Sequence, residues 1–461
     1  MPILAYFLVF LLVFIELTRA WGTYNRKYEF RRDPLVESVD CKRIIAEDCD
    51  YRTPVQRIVK NADSSRKMDC ESIRERVMRY SEYPLVKNSI AVARVVNEDY
   101  DFHEEQLGFT YHPDHVFCFA VDLKAEGTEF HRNLLKLESC VENVHLTKTL
   151  YNVSGNGAFM SHAFRECWKT VLGAGNWAYV LDLQNYDVII KTAPEISDVI
   201  DILNGSNAIQ LSKCERCAGV SEGWYLNGMG FYANHRPESF PDNSMMQFAT
   251  GLVQSLISRA AIDFLINTVS LDGYLGQHFE DTYSYGIDER FLATLQQTDV
   301  LKLPGGMTSR CLKDGHPTQK IIRYSNWDCS ADAHLCASGK SRHCICLLGI
   351  EELPTIAGYP FLVANKMMPS FDYAAISCVG ELLYNRTYGF APAGIRADVS
   401  ANLTSTRFHN FMAQPGAEAS NFDCTQRISP KFYRPWATNC ITRIQTRARK
   451  HCAGVGSRFH I

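Results

Sequence analysis

The spacing of apolar positions changes in an ordered way along this chain. Ser89 to Val96 is a β-branched run that predicts a strand, leading into a loop with Asp99, Tyr100 and Asp101. His115 to Val121 is a second apolar run, and it ends at Asp122. Glu129 to Leu137 has helical spacing, Val144 to Leu150 is strand-like, and Phe159 to Leu172 predicts an amphipathic helix. Trp177 to Leu183 reads as another strand. Pro194 to Leu203 reads as a helix, with Pro194 near its start, where a missing N–H costs nothing. Strands alternating with helices predict an α/β fold with a mostly parallel central sheet. Ligands of such sheets bind beyond the C-terminal strand ends, which is where Asp122 falls. The residues alone allow Asp122 simply to cap the segment after it.

Around this alternation the pattern differs. Arg19 to Tyr83 is polar, charged and weakly periodic, a stem or linker with helical pieces such as Ser72 to Tyr80. Ser212 to Asn243 is rich in Gly, Asn and aromatics and reads as loop, whereas Leu252 to Leu265 predicts a helix. At the N-terminus Ile3 to Ile15 is unbroken apolar and Glu16 follows. That run is short of the roughly 20 residues a spanning helix needs. Thr18-Arg19-Ala20 looks like a small-residue cleavage site. No Lys or Arg precedes the run, and Arg19, Arg26, Lys27, Arg31 and Arg32 follow it. A signal-anchor holding the chain to a membrane and a cleaved signal both fit. Either puts the remainder in the lumen of the secretory pathway.

Composition narrows the function classes. The 461 residues suffice for one large or two ordinary domains with a sizeable core. With 46% apolar residues, 21% charged and a formal net charge of −3, the chain is ordinary and globular, and nothing points to nucleic acid as a partner. Cysteine is the informative residue: 17 scattered along the chain fit an oxidising compartment and several disulfides. The odd number leaves one thiol free or paired between chains, so a homodimer is open. Asn152, Asn204, Asn385 and Asn402 each begin a glycosylation sequon, which suits the same compartment. Cys214-Glu-Arg-Cys217 has zinc-like spacing but no second pair, and a disulfide is the better reading. There is no Gly-x-Ser-x-Gly, Walker loop or His-Glu-x-x-His. Asp288-Glu289 stands just before an apolar helix, and by residue chemistry alone it reads as a stabilising helix-start pair.

Three blocks carry a resemblance to a known family. The first runs from Trp177 through Ile189-Ile190-Lys191-Thr192 to Glu195-Ile196 and Asn204. The second is Asp281 to Leu295, in which Asp288-Glu289 precedes an aromatic helix. The third is Cys346 to Leu383, with Ala364-Asn365-Lys366 and Ile376-Ser377-Cys378. In order and spacing, from about Cys41 to Arg386, they resemble the core-2/I-branching β-1,6-N-acetylglucosaminyltransferases, a family related to the peptide O-xylosyltransferases. The resemblance implies a GT-A-type nucleotide-sugar-binding domain over residues 86–395. The N-terminal pattern gives a signal-anchor or signal segment over 1–18 and a lumenal stem over 19–85, and the resemblance implies a Golgi membrane enzyme of single-pass type II topology. Residues 396–461 have no match and form an extension of unassigned role.

The same resemblance implies the chemistry: GlcNAc moves from UDP-GlcNAc to a hydroxyl of an O-glycan on a glycoprotein, with inversion and without a cofactor or metal ion. Fixed cations must then neutralise the departing diphosphate, and Arg342 and Lys366 match the family positions for this. Glu289 matches the base that takes the acceptor proton, and Asp122 matches a contact to the uracil. Asp99-Tyr-Asp101 is an Asp-x-Asp by letter, but it stands too early for the usual metal pair and reads as solvated loop. Disulfides implied by the family are Cys41–Cys378, Cys70–Cys140, Cys118–Cys167 and Cys336–Cys346, with Cys344 as a rival partner in the last. The chain departs from the family where a Tyr near the donor falls on or near Gly155, and where the acceptor loop is replaced by Gly- and aromatic-rich residues from Cys214 to Phe231. Two alternatives follow: another UDP-sugar, xylose or glucuronate, as donor, or a non-catalytic lumenal glycan-binding protein of the same fold.

Overall fold

A computed structural model of the chain describes residues 30–428 apart from 49–50, 52–55, 81, 218–223, 233–243, 281–285, 320 and 328–335. The N-terminal apolar segment lies outside the described residues, as do Cys49, Cys329, Cys440 and Cys452. Among the described residues no helix is long and apolar enough to cross a membrane.

Four parallel strands form the centre: β1 (Ile90–Val96), β2 (Val116–Val121), β3 (Val144–Leu146) and β4 (Tyr179–Gln184). Their spatial order is β3-β2-β1-β4, and the strand Leu256–Ser258 adds an antiparallel edge beside β4. β1 runs in register with both neighbours, Val92 opposite Phe117 on one side and Leu181 on the other. Every residue of β1 is buried because helices cover both faces, which is why its sequence reads as a continuous apolar run. Ala91, Ala93 and Val95 join Cys118 and Ala120 against the helix Met160–Leu172, through Phe164, Trp168 and Val171. Val92 and Val96 turn the other way with Phe117 and Phe119, onto Leu107, Leu134, Leu137 and Val199. Burying each such large side chain stabilises the fold by roughly 1.5–3 kcal/mol. A second, three-stranded sheet joins Val188–Ile189, Val363–Ala364 and Arg323–Tyr324, and it faces the C-terminal ends of the first.

Six disulfides are seen among the described residues. Cys41–Cys378, Cys70–Cys140, Cys118–Cys167 and Cys336–Cys346 are the pairings that the resemblance implies. Cys344 is itself disulfide-bonded and does not compete for Cys336. Cys214–Cys217 closes a short loop, and Cys311–Cys424 joins the body to the C-terminal segment.

Three segments differ from their sequence pattern. The loop expected around Asp99 to Asp101 is instead the start of a helix, Tyr100–Thr110. This helix is buried nearly all round, including His103, Glu104, Glu105 and Gln106, so it has no amphipathic stripe to read. Its charges are matched from the N-terminal segment: Glu104 pairs with Arg66 and Arg76, and Asp101 with Arg66 at 2.8 Å. The helix expected over Leu252 to Leu265 begins as a strand, because Leu256 and Ile257 take the free ladder edge of β4 before a short helix starts at Arg259. Ser258 caps that helix by accepting from Ala261 N. Residues 30–80, read as stem, pack onto the body: Val36, Val39, Cys41 and Ile44 are buried with the helix Pro369–Thr387.

Candidate active site

The C-terminal ends of β1, β2 and β4 open into a cavity of about 320 Å³ that the second sheet closes from the other side. Asp122, Glu289, Arg342 and Lys366 all line it, although 244 positions separate the first from the last.

Asp122 follows β2 directly. Its carboxylate accepts from Lys124 N (3.0 Å) and lies 3.1 Å from Lys124 Nζ, so it does cap the turn Leu123–Ala125 while facing the cavity. Glu289 is the second residue of the helix Asp288–Gln297. The N-cap position is Ile287, without a side-chain cap, so Asp288 and Glu289 lie within the first turn and favour the helix dipole without being the cap. Asp288 turns inward, where its Oδ1 accepts from Glu289 N at 3.1 Å. Burial, reinforced by the neighbouring Glu289 charge, pushes the Asp288 carboxyl up to about 7. Gly157 permits this: its φ is +95°, and a Cβ there would lie 2.0 Å from Asp288 Oδ1.

The cations come from the opposite wall. Lys366 follows the strand Val363–Ala364, and burial with the charges of Arg342 and Arg323 brings its amine down to about 8. It is thus largely protonated at neutral pH and has little desolvation left to lose when an anion arrives. Arg342 is on a hairpin whose turn residues His343 and Cys344 both have positive φ, 52° and 61°, the left-handed pair that a two-residue turn requires. It is more exposed, 3.7 Å from Glu98 and over the Tyr186 ring at 5.8 Å. Gly155 also lines the cavity, and a Cβ there would meet nothing within 4 Å.

Sequence reasoning did not find Arg323, Gln254, Asn185 or Asn365, all of which line the same cavity. Arg323 carried a signal: a charge set between Ile321, Ile322 and Tyr324 in an otherwise apolar run. Asn185 and Asn365 stood inside the first and third blocks without a role, and Gln254 carried no signal, an ordinary loop amide until the fold turns it inward. Asp182 is buried in the middle of β4 beneath the site. The sequons fall elsewhere: Asn152 and Asn204 are exposed, Asn385 is inside the helix Pro369–Thr387, and Asn402 Nδ2 donates to Asp398 O at 2.8 Å. Of the loop from Cys214 to Phe231, residues 218–223 are outside the described residues. Of the aromatics beyond them, Phe231 is buried and Trp224 packs edge-on against Tyr274, whereas Tyr225 is exposed. Among the described residues no group of three or more His, Cys, Asp or Glu could hold a metal ion.

A family model described as "Branch: Core-2/I-Branching enzyme" matches residues 90–357. The chain is 25% identical to the rat beta-1,3-galactosyl-O-glycosyl-glycoprotein beta-1,6-N-acetylglucosaminyltransferase 3, over 77% of this chain and 85% of the relative. The human protein of that name is 24% identical, over 79% and 87%. A bovine herpesvirus 4 beta-1,3-galactosyl-O-glycosyl-glycoprotein beta-1,6-N-acetylglucosaminyltransferase is 26% identical, over 77% and 85%.

Proposed function

The chain belongs to the core-2/I-branching enzymes, a glycosyltransferase family, and on that premise we propose that it moves GlcNAc from UDP-GlcNAc to a hydroxyl of an O-glycan, inverting the anomeric centre without a metal ion. The observation that carries this reading is the convergence of the Glu289 carboxylate with the cations Arg342 and Lys366 on a single cavity from three separate elements. Glu289 takes the proton of the acceptor hydroxyl as its oxygen bonds to the anomeric carbon. The bond from that carbon to the diphosphate breaks on the opposite side, and UDP leaves with the electron pair. Negative charge grows on the diphosphate, and Lys366 and Arg342 stabilise it there. Asp122 holds the uracil end. The enzyme works in the Golgi lumen, attached to the membrane through its N-terminal segment, on glycoprotein acceptors.

Incubation of the lumenal part with UDP-GlcNAc, UDP-xylose or UDP-glucuronate and an O-glycan acceptor, in EDTA, separates the readings. Transfer from UDP-GlcNAc that survives EDTA is expected; loss of transfer on chelation would sink the metal-free mechanism. Transfer only from another sugar would replace the donor, and glycan binding without transfer would make the protein a lectin. Glu289→Gln should keep UDP affinity and lose transfer by about a thousandfold, within the range for general base removal. Lys366→Ala should weaken UDP binding about tenfold, the loss of one charge-assisted contact.

A further inference from the structure

Gln254 is only 1% exposed, yet it borders the cavity, and its amide can be accounted for atom by atom. Nε2 donates to Gln184 Oε1 (2.9 Å) and to Asp187 Oδ2 (2.8 Å), which uses both of its hydrogens. The opposite orientation of the amide would set its oxygen against two oxygens, so these partners fix which end is which. Asp187 is itself held, since the same Oδ2 accepts from Gln184 N at 2.6 Å and the residue has no exposure. Gln254 Oε1 is left without a hydrogen-bond partner among the described residues. A buried acceptor in that state is costly, and the cavity is the side from which a ligand can bring the missing donor.

The backbone gives the position. Gly251 N donates to Glu289 O at 2.9 Å, and a Cβ on Gly251 would collide with Gln210 O, so this approach needs glycine. Ser255 O accepts from Asp182 N of β4 at 3.0 Å. The segment that carries Gln254 is thus pinned between the helix of Glu289 and β4. On its other side Asp187 precedes Val188, which pairs with Ala364, two residues before Lys366. Gln254 therefore stands between the candidate base and the cation that meets the diphosphate. In the proposed displacement the sugar occupies that interval, because its anomeric carbon lies between the acceptor oxygen and the leaving phosphate.

We propose that Gln254 is a donor-sugar contact: its Oε1 accepts a hydrogen bond from one hydroxyl or amide N–H of the sugar being transferred. Asp187 and Gln184 hold the amide in the orientation that reserves this oxygen for the sugar. The inference rests on the reading of the cavity as a site of UDP-sugar transfer, and it adds which residue reads the sugar. A carboxamide oxygen only accepts, so the group it selects must carry a hydrogen. The hydroxyls and the acetamido N–H of GlcNAc meet that requirement.

The test is donor kcat/KM and, separately, UDP affinity for the full chain and its Gln254→Met variant, which keeps the length of the side chain and removes the amide. The kcat/KM for UDP-GlcNAc should fall about tenfold, while UDP, which has no sugar, binds within about twofold of wild type. Loss of both together marks a structural role and overturns the proposal, as does an unchanged kcat/KM. A panel of donors identifies the partner group. UDP-glucose lacks the acetamido group, and deoxy analogues of UDP-GlcNAc each lack a single sugar hydroxyl. One of these should lose about tenfold with wild type and nothing further with Gln254→Met, the signature of a shared contact. A substitution that costs the same with every donor overturns the proposal. If Gln254→Met is not recovered folded, the wild-type structure with UDP-GlcNAc decides. A sugar oxygen or nitrogen within about 3.2 Å of Oε1 supports the contact, and a water alone at that place overturns it. The two readings fail differently. Wild type that transfers from no UDP-sugar defeats the reading of the cavity, whereas an active wild type matched by Gln254→Met defeats only the role given to Gln254.

Discussion

Asp182 has no exposure in the middle of β4, where Trp168 Nε1 and Ser255 Oγ meet its two oxygens at 3.0 and 3.1 Å. Two neutral donors do not offset the loss of water, so burial pushes its carboxyl up to about 8. A carboxyl raised in the folded state contributes stability that is fully present below its ordinary value, 3.8, and is lost as the pH rises through about 8. Asp182→Asn keeps the shape and cannot ionise. The wild-type melting temperature should therefore decline between about pH 5 and pH 8 more steeply than that of the variant. At the upper pH the variant should melt higher by roughly 2–4 °C, the equivalent of about 2–4 kcal/mol in a chain of this size. Parallel curves from thermal melts at several pH values would show that Asp182 ionises in the folded protein near its ordinary value and would overturn this reading. The strand pattern made Asp182 visible as a polar residue in an apolar run. Its neutrality was not visible, because it depends on Trp168 and Ser255 arriving from two other elements.

Among the elements, the helix Asp288–Gln297 and the turn at Gly157 are built to fit one another. Gly286 N and Ile287 N both donate to Asn156 O, at 2.8 and 3.2 Å, which locks the start of the helix to the turn. A Cβ on Gly157 would lie 2.9 Å from Asp288 N as well as against its carboxylate, so backbone and side chain would both have to move. Gly157→Ala should lower kcat about tenfold or more, because a displacement of the base by even an ångström is costly. Its core contacts are remote from the turn, so the melting temperature should change by only a few degrees. Activity near wild type would show that Glu289 tolerates a shifted helix start and would count against a tight requirement on its placement. The helix Tyr100–Thr110 gives the complementary case. It was hidden in the sequence because Glu104 and Glu105 look like surface residues until Arg66, Arg76, Lys60 and Tyr373 close around them.

For the whole molecule, the body extends beyond both ends of the family match. At the C-terminal side Val399, Leu403, Phe408 and Phe422 are buried in the two main core clusters. Thr404 N donates to Gln319 Oε1 at 2.9 Å, and the Cys311–Cys424 disulfide closes 113 residues of sequence. Residues 397–428 therefore complete the core. Replacing Cys311 and Cys424 together by Ser should cost roughly 2–5 kcal/mol, read as a lower denaturant midpoint. Truncation before Ala397 should abolish recovery of soluble protein. A truncated chain with full transfer activity would show that the segment is dispensable.

The sequence by itself determined the alternating core of the fold, because β1, β2 and β4 are buried on both faces and a doubly covered strand has to be apolar at nearly every position. It also held the cysteines, the candidate base and the candidate cations, since these residue types survive as recognisable blocks. Only the tertiary structure decided that Asp122, Glu289, Arg342 and Lys366 share one cavity, that Arg323 lies among them, and that residues 30–80 and 397–428 belong to the body. The physical reason is the same in each case. A periodic pattern records which face of an element is buried, whereas the partner that buries it, neutralises it or leaves it facing a cavity comes from far along the chain.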